Sequence, residues 1–322
     1  MSSAAQKDLS KKPVSIIIPV YDDLGGLNTT LQSLSSTGIV DHPDTEIIVC
    51  NDGGGDEVSI LVEKFGVREA RLENNLGSYA ARNEGIKVAH GKILAFLDAD
   101  QRVDGDWLNE GIKDLQDNDY VGGRIVIETG ASPSKWERYD LLTAFPVEEY
   151  LSVSHFAPTA NLFVQREVFD KVGLFDHRFK SGGDVEFGQR VYNAGFKQAY
   201  NPNALTYHPP RGWSKQLKKV KRVGEGVTDM KYLVLGKRPI YIFIVGCLVI
   251  GKIPVELIWR ILHNLIFNQQ QNTLLDIHHI IMQMTKKFFF HWYITRRAAY
   301  LFFNKQMAKS WLNFKAREQP NK

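Results

Sequence analysis

The chain has 322 residues, 43% of them apolar, and a formal net charge of +4. Such a composition supplies a sizeable core and excludes a disordered chain, and two cysteines, Cys50 and Cys247, give neither a disulfide framework nor a metal-ligand spacing, so a reducing compartment is expected. The small net charge hides an asymmetry: residues 1–210 hold 20 Lys+Arg against 31 Asp+Glu, whereas residues 211–322 hold 20 against 5, so an acidic body precedes a basic last third.

Residues 1–12 are polar, without an apolar leader, and read as a loose tail. Val14-Ser15-Ile16-Ile17-Ile18-Pro19 predicts a buried strand, after which Tyr21-Asp22-Asp23 opens a loop. Leu24, Leu27, Leu31 and Leu34 then repeat at helical spacing. Glu46-Ile47-Ile48-Val49-Cys50 predicts a second strand, followed by the polar, glycine-rich Asn51-Asp52-Gly53-Gly54-Gly55-Asp56 and a further helix. Strands alternating with helices predict a parallel, Rossmann-like sheet. The glycines after the second strand lack the spacing of a dinucleotide fingerprint, and the first strand runs into Pro19-Val20-Tyr21-Asp22, so NAD and FAD are disfavoured.

Asn74-Asn75-Leu76-Gly77 leads into a helix in which Ala80 and Ala81 allow close packing and Arg82 offers a planar, permanently charged fork to an anionic ligand. That helix delivers the chain to Ile93-Leu94-Ala95-Phe96-Leu97-Asp98-Ala99-Asp100, a buried strand ending in two carboxylates one residue apart. The carboxyl edge of an open α/β sheet is where ligands bind, and Asp-x-Asp supplies oxygen ligands for a hard divalent cation that also holds a diphosphate.

These four blocks, in this order and spacing, resemble the family 2 glycosyltransferases of the nucleotide-sugar-binding GT-A fold. The resemblance implies an α/β domain with a mostly parallel Rossmann-like sheet flanked by helices, followed here by a helical C-terminal extension. It implies that Pro19, Tyr21 and Asp52 cradle the base and ribose, with Asn75, Gly77 and Arg82 also on the donor side. Asp98 is expected against the ribose or the metal, and Asp100 as a direct ligand of Mn²⁺ or Mg²⁺. Further along, Val121-Gly122-Gly123-Arg124-Ile125-Val126-Ile127 and Thr159-Ala160-Asn161-Leu162-Phe163-Val164 predict strands of an acceptor half.

Ser181-Gly182-Gly183-Asp184-Val185-Glu186 puts two carboxylates on a loop entering a helix, where an inverting transfer needs one base for the acceptor hydroxyl. Asp184 is the expected base and Glu186 its reserve. The family's usual Gly-Glu-Asp-x-Asp has glutamate where this chain has Gly183. His208, after a short strand, falls where the family commonly completes the metal or diphosphate site.

The expected organisation is a tail over 1–12, a catalytic domain over 13–210 with its donor half at 13–105 and acceptor half at 106–210, and a membrane-associating extension over 211–322. Residues 240–251 form an uncharged apolar run of twelve, too short to span a bilayer. Lys252, Glu256 and Arg260 extend it with a polar stripe, Pro254 is expected to kink it, and an interfacial helix follows. Lys286-Lys287 and Arg296-Arg297 interleaved with aromatics match an anchor on anionic lipid, with a homodimer face as the other use of this surface. Gln216 is followed by Leu217, Lys218 and Lys219, not by the Gln-x-x-Arg-Trp of processive synthases, so one sugar per encounter is expected.

The function so predicted is metal-dependent, inverting transfer of a single sugar from a nucleoside diphosphate donor, UDP first, to a glycan or lipid-linked acceptor of a cell-surface polysaccharide or glycoconjugate. The location is cytoplasmic, on the inner membrane face, with no nucleic-acid partner. The alternatives are a sugar nucleotidyltransferase, for which the glycine- and arginine-rich loop after the first strand is missing, and a non-catalytic nucleotide-sugar-binding module.

Overall fold

The structure, a computed structural model, describes residues 13–143, 145–233, 238–267 and 273–303; the expected tail over 1–12 lies outside them. It divides into two compact units, one comprising Met1–Ser132, Asp140–His177 and Gly183–Pro210, the other Pro133–Tyr139, Arg178–Gly182 and Arg211–Lys322.

The first unit is built on an eight-stranded sheet: β1 Val14–Val20, β2 Thr45–Asp52, β3 Arg68–Leu72, β4 Ile93–Leu97, β5 Arg102–Val103, β6 Tyr120–Ile127, β7 Asn161–Gln165 and β8 Gln198–His208, in the order β3-β2-β1-β4-β7-β6-β8-β5. The apolar runs of β1, β2 and β4 are buried on both faces, as parallel interior strands require. β3-β2-β1-β4 is wholly parallel, and β7 then runs antiparallel to both β4 and β6. Two reversals restore the direction, so β6 and β8, parallel to each other, point the same way as β4. The sheet is therefore mixed, yet the carboxyl ends of β1, β2, β4, β6 and β8 share one edge.

Helices flank this sheet: α1 Leu24–Ser36, α2 Asp56–Lys64, α3 Ser78–Val88, α4 Trp107–Asp114, α6 Val147–Ser154, α7 Arg166–Val172 and α8 Gly183–Asn193, while α5 Lys135–Thr143 lies between α4 and α6 in sequence. α1 starts where Asp23 caps it, accepting from the Gly26 amide at 2.9 Å. α3 lies close to the sheet through Gly85 as well as buried Ala81: a Cβ at Gly85 would stand 2.4 Å from Cys50 Sγ and 2.9 Å from Ile17 Cγ2. Burial among these groups pushes the Cys50 thiol up to about 12. Asn161 knits β7 to α4, β6 and β8, accepting from Trp107 Nε1 at 2.9 Å and donating to the carbonyls of Arg124 and Ala204 at 2.9 and 2.8 Å.

The second unit is helical: α9 Trp213–Leu233, α10 Pro239–Phe267 and α11 Thr273–Phe303. Small residues let these helices approach. A Cβ at Gly246 of α10 would meet Thr295 Oγ1 of α11 at 2.1 Å, and one at Gly224 of α9 would meet the Phe290 carbonyl at 2.9 Å. α10 runs on through Lys252 and Pro254, beyond the twelve-residue apolar run. Glu256 within it is paired by Lys287 of α11 and by Arg260 at 3.3 Å. Its 23 residues Pro239–Ile261 are long and apolar enough to cross a membrane, and most of that surface is uncovered.

Candidate active site

The site residues expected from sequence gather at the shared carboxyl edge. Asp52 ends β2 with its carboxylate buried, Oδ1 accepting from the Leu76 amide at 2.8 Å and Oδ2 from the Gly77 amide at 2.9 Å. It thereby ties the Asn74-Asn75-Leu76-Gly77 loop to the sheet. Gly53 permits the approach: its φ is +79°, and a Cβ there would lie 2.6 Å from the Asn75 nitrogen. Gly77, at φ +99°, turns the chain into α3. Asn75 stands exposed on this loop, Pro19 is half-buried at the end of β1, and Tyr21 beyond it is 54% exposed with its ring open to a ligand. Asp22 next to it holds a left-handed φ of 51°, a strained geometry for a non-glycine residue.

Asp98 follows β4 and accepts from Arg82 Nη2 at 2.6 Å; Arg82 is buried, Asp98 half-buried. The Arg82 Nε is buried without a hydrogen-bond partner, an orphan cationic donor at the edge where an anionic ligand is expected. The Asp98–Asp100 turn is held from below. Gln101 Oε1 accepts from the Asp98 amide at 3.3 Å, the Gln101 amide donates to Thr30 Oγ1 at 3.0 Å, and a Cβ at Gly26 of α1 would stand 2.7 Å from the Ala99 carbonyl.

Asp100 Oδ1 lies 3.6 Å from His208 Nε2, at the end of β8. His208 Nδ1 lies 2.6 Å from the Pro209 carbonyl, which only accepts, so that nitrogen holds the proton and Nε2 faces Asp100 with its lone pair in the neutral ring. A lone pair and a carboxylate oxygen facing one another suit a cation. Among the described residues no three His, Cys, Asp or Glu side chains converge as a complete metal cage. Asp100 and His208 nonetheless fit a cation that completes its shell with diphosphate oxygens and water, which is how Mn²⁺ and Mg²⁺ bind substrates.

Asp184 lies in the first turn of α8, Oδ1 accepting from the Tyr79 hydroxyl at 3.0 Å and from the Val185 amide at 3.0 Å. Burial raises its carboxyl above the usual range despite those bonds and the Arg82 charge. Glu186 is placed differently. Its two oxygens receive Arg190 Nε and Nη2 at 2.7 and 2.9 Å, and Arg190 Nη2 also donates to the Leu174 carbonyl at 2.8 Å, fastening α8 to the end of α7. Its carboxylate is an anchor already in use. Gly183 has no room for a side chain, since a Cβ would stand 2.8 Å from Tyr79 ring carbons. Sequence reasoning passed over Tyr79; the signal was Gly183 itself, a glycine where the resembling family has an acid.

Residues 15–173, β1 through α7, match glycosyl transferase family 2. Glycosyltransferase AglE of Haloferax volcanii is 34% identical over 222 residues, 66% of this chain and 72% of the relative. Among solved structures, the mannosyltransferase PcManGT of Pyrobaculum calidifontis in complex with GDP-Man and Mn²⁺ superposes with a TM-score of 0.56 at 13% identity, covering 97% of this chain and 77% of its own. GalNAc-T7 with UDP, GalNAc and Mn²⁺ gives 0.53 at 18%, over 74% and 51%. These two likenesses show the fold. The match over residues 15–173 and the extent of the Haloferax volcanii relative establish that the chain is a glycosyltransferase belonging to family 2.

Proposed function

We propose that the enzyme moves one sugar at a time, with inversion, from a nucleoside diphosphate donor, UDP first, to a glycan or lipid-linked acceptor of a cell-surface polysaccharide or glycoconjugate. The observation that carries this reading is the meeting, on one sheet edge, of Asp98 with Arg82, Asp100 with His208, and a half-buried Asp184 that accepts from Tyr79. Tyr21 stacks on the base, Pro19 and the loop fixed by Asp52 bound its pocket, with Asn75 and Gly77 at the rim. Arg82 holds Asp98 toward the ribose and offers its free Nε to the diphosphate. Asp100 and His208 hold Mn²⁺ or Mg²⁺, which when bound neutralises the leaving diphosphate.

Asp184 takes the acceptor hydroxyl's proton as that oxygen bonds to the anomeric carbon, while the carbon–phosphate oxygen bond breaks and its electron pair leaves with the nucleoside diphosphate. A base held above the usual carboxylate range by burial is better matched to this task. The neighbouring structures, one with GDP-Man and Mn²⁺ and one with UDP and Mn²⁺, support the donor class and the metal. The apolar α10 supports work at the cytoplasmic face of a membrane. Turnover of a nucleotide-sugar panel with and without Mn²⁺, in wild type and Asp100→Ala, tests the reading. Loss of both turnover and Mn²⁺-dependent UDP binding is expected; unchanged turnover refutes it.

A further inference from the structure

The helical unit contains a cavity of about 230 Å³ that the catalytic reading does not use. Lys218, Lys221, Arg222, Glu225 and Asp229 line it from one face of α9, at the three- and four-residue spacing of a helical stripe. Two other segments close it. A Cβ at Gly226 would stand 2.4 Å from the Ser181 carbonyl, so only glycine lets residues 178–182 press on α9 and bring Lys180 to the rim. At the base, Arg297 of α11 forks onto buried Asp229, Nε to Oδ1 at 2.9 Å and Nη2 to Oδ2 at 3.3 Å.

Five cations face two carboxylates around the cavity, a net of +3. Among the described residues no carboxylate lies within ion-pair distance of Lys218, Lys221 or Arg222. We propose that this cavity is a second anion site that binds a phosphate monoester or diphosphate group. Lys218, Lys221 and Arg222, converging without ion-pair partners among the described residues, raise the local potential, and a multiply charged phosphate relieves it through several charge-assisted bonds at once.

The test uses the full chain in Asp100→Ala background without divalent cations, to silence the donor site. Inorganic pyrophosphate is titrated calorimetrically, and vesicles of phosphatidylcholine with phosphatidic acid or with phosphatidylglycerol at equal charge are co-sedimented. Pyrophosphate affinity falling at least tenfold in Lys218→Glu/Arg222→Glu, and not in Lys215→Glu outside the cavity, supports the site. Phosphatidic acid preferred over phosphatidylglycerol, and the preference lost in the double variant, identifies a lipid headgroup; pyrophosphate binding alone identifies a soluble phosphate. Affinity unchanged in the double variant, or no binding of either probe, overturns the proposal.

A separate observation concerns the base and rests on the catalytic reading above. The Tyr79 ring fills the space beside Gly183 that a side chain would need, and its hydroxyl reaches Asp184 at 3.0 Å. We infer that Tyr79 is a positioning residue, its phenol orienting the base from the place Gly183 leaves open. The other groups around Asp184 are Arg82 of α3, Tyr120 of β6 and Tyr150 of α6. Tyr120 is occupied with the backbone of Ala157. Tyr79→Phe keeps the ring and removes the donor to the ionised carboxylate. It is expected to lower kcat about tenfold with donor KM unchanged and to move the acid limb of kcat/KM to higher pH. A wild-type pH profile in Tyr79→Phe overturns this inference alone, whereas full activity in Asp184→Asn overturns the base assignment itself.

Discussion

Asparagine in place of Asp184 keeps the shape of the site and removes its charge. The amide oxygen still accepts from the Tyr79 hydroxyl and the Val185 amide, so neither 3.0 Å bond need be lost. On the proposed mechanism the proton acceptor is lost, and general-base contributions of 10²–10⁴ translate into about 3–5 kcal/mol of barrier. Stability should move the other way. Burial holds the Asp184 carboxyl above its usual range, so the folded state favours the protonated form. Ionising it as pH rises past the unfolded value therefore costs stability, and a neutral amide avoids that cost at pH 7. Asp184→Asn is thus expected to be a hundredfold or more slower in single-turnover transfer, with donor affinity intact and a higher Tm at pH 7 that converges with wild type in acid. Asp184→Ala serves as the contrast, since it strands the Tyr79 hydroxyl and should cost about 1–3 kcal/mol. Transfer within tenfold of wild type, or a Tm lowered by the asparagine, would refute the reasoning.

Three further substitutions test the frame. Glu46 loses some stability to burial, but bonds from Ser15, His90 and Arg68 outweigh this and hold its carboxyl down at about 2. Its contribution is present above the unfolded carboxylate range and lost as pH falls from about 4.5 toward 2, so Glu46→Gln should cost about 2 kcal/mol in urea denaturation at pH 7 and much less near pH 2. Gly85→Ala adds a methyl 2.4 Å from Cys50 Sγ; the strain of about 1–3 kcal/mol should exceed the roughly 1 kcal/mol helix-propensity gain, giving a lower Tm. Asn161→Leu removes three buried hydrogen bonds and should destabilise by about 3 kcal/mol in the same denaturation assay.

The strands β1, β2 and β4 were legible because they are uninterrupted apolar runs that end at chemistry-bearing residues, as Ile93 to Leu97 ends at Asp98. Burial on both faces leaves that pattern no other home. The direction of β7 was not legible, since Leu162-Phe163-Val164 reads the same whichever way it pairs. Roles within the site were least legible where one side chain answers another far away in sequence. Arg190 stands four residues after Glu186 and occupies it, a pairing that the helical spacing already offered, whereas Tyr79, far away in sequence, orients toward Asp184. The continuation of α10 past Lys252 was legible in the stripe of Lys252, Glu256 and Arg260, but a stretch long enough to cross a membrane was not, since Lys287 of α11, which answers Glu256, lies 31 residues on.

The antiparallel strand β7 has a consequence for the order of folding. β1, β2, β3 and β4 join through βαβ crossovers between near neighbours in sequence, while β4 must wait for β7, whose pairing places Leu97 opposite Asn161. Contacts closing such long loops form late. His208 and Asp184 lie later still in the chain, so a nascent chain acquires the loop that Asp52 ties down before it acquires Asp184 or the histidine facing Asp100. A chain stalled short of β7 would hold the Asp52 and Asp98 clusters without Asp184 or His208, so β7 docking is the step after which the two ends of the proposed site can meet.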